Sequence, residues 1–174
     1  SDPRESRGYA ERWLATLDYG VAMTPEQRLE ALGITLPATP APVAAYVPAV
    51  RTGDLLFTSG QIALGADGLI ATGKVGADVD LDTAVACARQ CALNLLAQLG
   101  TALGTLDRVV RIVKLTVFVA SDPSFTQAHL VANGASELLA EVFGDAGRHA
   151  RSAVGVLVLP LDSPVEIEAV AEIS

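Results

Sequence analysis

The chain has 174 residues, 51% hydrophobic but only 5% aromatic and 18% charged, enough for one domain whose core must be built from Ala, Val and Leu. A net charge of −8, from 20 acids against 12 scattered Lys and Arg, lacks the basic stripe of a nucleic-acid binder and weighs against RNA or DNA as partner. No apolar run reaches the roughly 18 residues of a membrane-spanning helix, so the positive mean hydropathy points instead to surface buried between copies of the chain.

Residues 1–22 start polar and basic, then carry Trp13, Leu14, Leu17 and Tyr19. Trp13, Leu17 and Tyr9 fall on one face of a short helix. The segment reads as a weakly packed extension, in part a cloning remnant, or as an arm over a neighbouring subunit, and Met23 is an alternative start. No apolar leader core is visible. Residues 23–174 read as a single domain. Thr24-Pro25-Glu26-Gln27 is a helix opening, with Thr24 as N-cap, Pro25 at the first position and Gln27 reaching back; Gly33 ends that helix.

Residues 34–50 carry Pro37, Pro40, Pro42 and Pro48, so an extended surface segment is expected, with Tyr46 its only aromatic. Tyr46 reads either as packing or as a lid over a pocket. Asp54–Gly60 reads as a strand, followed by a second short stretch and a turn at Asp67-Gly68. Asp80 or Asp82 caps a long helix to about Leu99, with Val85, Ala88, Ala92, Leu95, Leu96 and Leu99 as its buried stripe. Cys87 and Cys91 flank that stripe. Two thiols on successive turns of one helix staple nothing together, which predicts core residues in a reducing, cytoplasmic setting.

Val109–Val119 is β-branched and apolar, a long strand, and Thr126–Phe143 is a second long helix. Residues 147–171 then place two apolar runs around Pro160-Leu161-Asp162-Ser163-Pro164, the pattern of a β-hairpin. The predicted order of strand, strand, helix, strand, helix, hairpin makes this α+β, a mixed sheet under two long helices.

Several chemistries are excluded by their missing motifs. There is no phosphate-binding lysine loop and no dinucleotide glycine fingerprint. His129 and His149 are too few and too far apart for an evident metal site, and neither Ser59 nor Ser152 sits in a nucleophile elbow. Arg151 remains. A guanidinium entering an apolar strand costs energy unless a partner holds it. Either Glu166, Glu168 or Glu172 pairs with it internally, or it receives a ligand carboxylate through two parallel hydrogen bonds. In a tight hairpin Glu166 falls opposite Leu157, six residues or about 20 Å from Arg151. The two would then meet only across a subunit boundary or at a bulge.

Gly147-x-His149-Ala150-Arg151-Ser152-Ala153-Val154-Gly155, Leu159-Pro160 and Val165-Glu166-Ile167-Glu168 together resemble the C-terminal signature of the RidA (YjgF) family. Gly53-Asp54-Leu55-Leu56-Phe57-Thr58-Ser59-Gly60-Gln61-Ile62 and Val117-Phe118-Val119 fit it in order and spacing, over about residues 43–173. Leu32-Gly33-Ile34 and Asn133-Gly134-Ala135-Ser136 resemble a longer branch of that family. The resemblance implies a chorismate-mutase-like fold and a homotrimer with a central barrel and three inter-subunit clefts. It also implies hydrolysis of 2-imino or 2-enamino acids to 2-keto acids and ammonia, with no cofactor. By position, Arg151 would hold the substrate carboxylate and Glu166 the attacking water, with help from the backbone at Ala153. Tyr46 would close the cleft, and Ser59, Gly60 and Asn133 would line it. A trimer that binds small carboxylates without turnover is the alternative, and an endoribonuclease, disfavoured by the acidic balance, is the third reading.

Overall fold

The computed structural model describes residues 22–39 and 45–174. The expected short helix of Tyr9, Trp13 and Leu17 lies outside the described residues, as do Pro40 and Pro42. The N-terminal helix α1, Pro25–Ala31, opens as its sequence predicts. The Thr24 side chain accepts from Gln27 N–H and the Gln27 side chain accepts from Thr24 N–H, a complete capping box. Gly33 leaves the helix at φ +67, a left-handed turn that suits glycine.

Short strands follow: β1 (Ala49–Thr52), β2 (Leu55–Thr58), β3 (Gln61–Ile62), β4 (Leu64–Gly65) and β5 (Gly68–Leu69). β1 was not expected; it grows out of the end of the Pro-rich stretch and pairs antiparallel with β2. The long helix α2, Leu81–Leu103, is capped by the Asp80 side chain on Thr83 N–H and ends at left-handed Gly104. It runs a full turn beyond the expected Leu99. Ala88, Ala92, Leu95, Leu96 and Leu99 are completely buried, as are Cys87 and Cys91. Each such leucine contributes about 2 kcal/mol of burial. Burial pushes the Cys87 thiol up to about 11 and also holds Cys91 well above the ordinary thiol range, so both are inert core side chains.

The long strand β6 is Val109–Ala120. The second helical stretch divides at Ala132 into α3 (Ala128–Val131) and α4 (Asn133–Phe143), so only one of the two predicted long helices is long. α4 lies close along α2, because a Cβ on Gly134 would collide with the Val85 carbonyl. The last strands are β7 (Ala150–Val156) and β8 (Val165–Ile173).

These two strands do not form the expected hairpin. The sheet order is β1-β2-β8-β6-β7, with β3 also on β8. β6 is wedged between the two arms, parallel to β7 and antiparallel to β8. Its end is held by both: Ala120 N–H donates to Pro164 O at 2.9 Å and Ser121 N–H to Val156 O at 3.3 Å. The connection is too wide for a tight turn. Pro160–Asp162 forms a single 3₁₀ turn, and both Leu161 (φ 55) and Asp162 (φ 61) are left-handed.

The sheet is therefore mixed and the fold α+β, with helices covering one face. In β8 Val165, Ile167, Ala169, Ala171 and Ile173 are buried toward them, while the alternate residues face the other way. On that open face Val50, Phe57 and Val154 remain 53%, 43% and 44% exposed. No helix among the described residues is long and apolar enough to cross a membrane.

Candidate active site

Arg151 lies in the second position of β7, level with Leu115 of β6, and through it with Ala169 of β8. Both neighbours are buried under the helices, so Arg151 shares the helix face. Its guanidinium reaches the α3–α4 junction. Nη1 donates to Asn133 Oδ1 and Ser136 Oγ, each at 3.0 Å, and Nη2 donates to His129 O at 3.1 Å. All three acceptors are neutral. The ion pairs among the described residues are Arg51–Asp54, Arg89–Glu141 and Arg148–Asp145, and none involves Arg151. The internal pairing with Glu166, Glu168 or Glu172 is therefore not made within the chain.

His149 stands beside this group. Its Nδ1 is 2.6 Å from Gly147 O and its Nε2 is 3.0 Å from Ser136 Oγ. Burial lowers its pKa, opposed by the Gly147 hydrogen bond and reinforced by the Arg151 charge. A cleft of about 270 Å³ opens here, lined by Ser136, Ala140, Gly147, Arg148, His149 and Arg151. Ala153 follows two residues along β7, level with Val117 and packed against the core. Ser136 and His149 are functional side chains that sequence patterning does not reveal. His149 lies two residues before Arg151, just ahead of β7, and that spacing in extended chain is the signal that brings both to one side.

Glu166 sits elsewhere. It is level with Phe118 of β6 and Ile62 of β3, on the alternating set of β8 that faces away from the helices. Burial raises its pKa, and the neighbouring Glu168 charge adds to the shift. Gly60 comes so close that a Cβ there would overlap Glu166 Oε1. Ser59 ties the segment before β1 to this end of β2: its Oγ donates to Val47 O at 2.7 Å and its N–H to Pro48 O at 2.8 Å. Tyr46, 60% exposed, is carried by that segment.

The sequence candidates thus divide into two groups. Arg151 and Asn133 meet on the helix side, while Gly60 meets Glu166 near the Ser59–Tyr46 segment. Tyr46, Ser59 and Gly60 do not line the Arg151 cleft. Register separates Arg151 from Glu166 by three residues along the strands and two strands across, about 10 Å each way. They also point to opposite faces. No cluster of three or more His, Cys, Asp or Glu placed for a metal occurs among the described residues.

Residues 26–173 match the family model described as "YjgF/chorismate_mutase-like, putative endoribonuclease". The chain belongs to this family. It is 50% identical over 147 residues to Protein TCP17 of Trypanosoma cruzi, covering 84% of this chain and 92% of that protein. Among solved structures, a "putative endoribonuclease" from Shewanella oneidensis superposes with a TM-score of 0.83 at 37% identity, over 87% of this chain and all of that one. E. coli TdcF with bound serine is 32% identical with a TM-score of 0.55, over 78% of this chain and 94% of that one. The YjgF-like sheet and covering helices of this chain therefore carry both groups of candidate residues.

Proposed function

We propose that this YjgF family member hydrolyses small 2-imino and 2-enamino acids to 2-keto acids and ammonia, in a cleft completed between subunits of a homotrimer, with no cofactor. The observation that carries the reading is the state of Arg151. Three neutral oxygens hold its guanidinium beside a cleft, and none of the ion pairs among the described residues neutralises it. A charge kept in that way is prepared for a carboxylate from outside the chain. The serine bound in the TdcF structure is a ligand of that kind.

Glu166 supplies the second function. With its proton affinity raised by burial and by Glu168, it is suited to take a proton from water attacking the imine carbon. The resulting carbinolamine loses its nitrogen as ammonia, with the same carboxyl returning the proton, and the keto acid remains. The backbone at Ala153, two residues past Arg151, borders the substrate, and Tyr46 covers it from the Ser59-anchored segment. Because Arg151 and Glu166 face opposite sides of one sheet, a working site takes them from two chains. The exposed Val50, Phe57 and Val154 on the open face provide apolar surface for that association.

The endoribonuclease wording of the family description finds little support in a chain of net charge −8. Binding of small carboxylates without turnover would use the same Arg151. A coupled assay separates these readings: an imino acid is generated in situ and keto-acid release is followed against the uncatalysed rate. The wild type exceeds that rate and Arg151→Ala returns to it. Equal rates with wild type, variant and buffer would refute the enzymatic reading.

A further inference from the structure

Arg151, Ser136, His149 and Gly147 form one hydrogen-bonded chain, and its two ends constrain the protons within it. Arg151 Nη1 can only donate, so Ser136 Oγ, 3.0 Å away, accepts from it. At the other end the Gly147 carbonyl can only accept, so His149 Nδ1, 2.6 Å away, carries a proton. Between them, Ser136 has one hydroxyl proton to give and His149 Nε2 stands 3.0 Å from it. With Nε2 a bare lone pair, the Ser136 proton goes to it and every contact is made, with His149 neutral and its proton on Nδ1. In the other arrangement a doubly protonated His149 would donate to the second lone pair of Ser136 Oγ, placing a second cation beside Arg151; burial and the Arg151 charge both disfavour it.

The geometry points to Ser136 and His149 as positioning residues for the carboxylate grip of Arg151, an inference that rests on the reading of Arg151 given above. A long guanidinium side chain has many rotamers, and a ligand must otherwise freeze it on binding. Here the hydroxyl is locked by His149 so that its lone pair faces Nη1. Asn133 Oδ1 on the same nitrogen and His129 O on Nη2 fix the plane. The remaining N–H groups of Arg151 are left for the ligand, beside a cleft that Ser136 and His149 themselves line.

The pair also has the spacing of a nucleophilic serine and its base. Two features set it apart from that chemistry. The Ser136 oxygen already accepts from Arg151, and its backbone N–H is bonded to Ala132 O at 3.1 Å, so it is not offered to an oxyanion. Orientation, rather than attack, is what this arrangement performs.

The test uses benzoate as the probe, with calorimetric affinity measured for wild type, Ser136→Ala, His149→Phe, the double variant, Ser136→Thr and Arg151→Ala, each checked for unchanged melting. Both single losses should weaken benzoate about tenfold. The double variant should be no worse than either single one, because the two act as one unit, and Ser136→Thr should restore binding. Nitrogen-detected NMR of the wild type at neutral pH should show His149 neutral with its proton on Nδ1, whatever the folding of any variant. Single variants within twofold of wild type, with binding abolished in Arg151→Ala, would overturn the inference and leave the Arg151 reading intact. A protonated or Nε2–H His149 would overturn it equally. Benzoate bound as well by Arg151→Ala as by wild type, or by neither, would remove the Arg151 reading and this inference together.

Discussion

Arg151 and Glu166 project from opposite faces of the same sheet, Arg151 level with buried Leu115 and Glu166 level with Phe118 on the open side. The relationship makes a strong prediction for mixtures. Arg151→Ala and Glu166→Gln proteins, each inactive alone, should regain activity when unfolded together and refolded at equal concentration. If every site draws one residue from each of two neighbours, random assembly restores about a quarter of the sites. Imine hydrolysis in the mixture is the readout. Sites contained within one chain would restore none.

Glu166 offers a prediction in which stability and activity part company. Its folded-state pKa is raised, first by burial and then by Glu168, so the folded protein holds that proton more tightly than the unfolded chain. Stability is then greatest where the carboxyl is protonated in both states. It falls as pH rises through the ordinary carboxylate value toward the raised one, and stays lower above it. Glu166→Gln should accordingly melt higher than wild type at neutral pH, with the difference vanishing in acid below the unfolded value. The same variant should lose about 100- to 10,000-fold in turnover, the range of a lost general base. Melting curves and imine hydrolysis measured across pH check both halves, and a variant less stable than wild type at neutral pH would contradict the first.

Gly60 tests the placement of that carboxylate directly. A methyl group there would occupy the position of Glu166 Oε1, and the end of a flexible side chain is what must yield. Gly60→Ala should therefore cost less than about 1 kcal/mol in stability. Misplacing the carboxylate by about an ångström should lower turnover about 100-fold. Turnover like that of wild type would show that Glu166 tolerates displacement, and would weaken its proposed role.

The parts of this molecule that depend on neighbours in the chain were the legible ones. Thr24, Asp80 and Gly33 act within one turn of their own helix, and the Leu95–Leu99 stripe follows helical spacing. What sequence concealed was insertion from a distance. Nothing in residues 147–171 signals that β6, 30 residues earlier, will enter between their two arms. Two apolar runs around a Pro-containing turn look alike whether they pair with each other or flank a third strand. The site shows the same division. Arg151 and Glu166 stand out by charge in apolar strands, whereas Ser136 and His149 gain meaning only when α4 is laid beside β7. Gly60 was placed in the site by resemblance, and only the structure gives the physical reason for a glycine there.

Gly134 carries the last prediction, and it concerns the scaffold alone. α2 and α4 approach so closely that an added Cβ would strike the Val85 carbonyl oxygen, with the carbonyl carbon 3.0 Å away. Unlike the flexible end of Glu166, this obstacle is helix backbone, and moving it would disturb the buried contacts around Ala84 and Ala88. Alanine has the better intrinsic helix propensity, by about 1 kcal/mol over glycine, so a gain in stability is the naive expectation for an 11-residue helix. Overpacking against backbone should outweigh it, giving a net loss of about 1–2 kcal/mol in Gly134→Ala. At this chain length that lowers the melting temperature by roughly 2–8 °C. Arg151 should feel the change as well, because Asn133 and Ser136 flank Gly134 on the same helix. Benzoate affinity should fall along with stability in this variant, whereas in Gly60→Ala it should hold. A stabilised Gly134→Ala protein would mean that the two helices are farther apart than the structure places them.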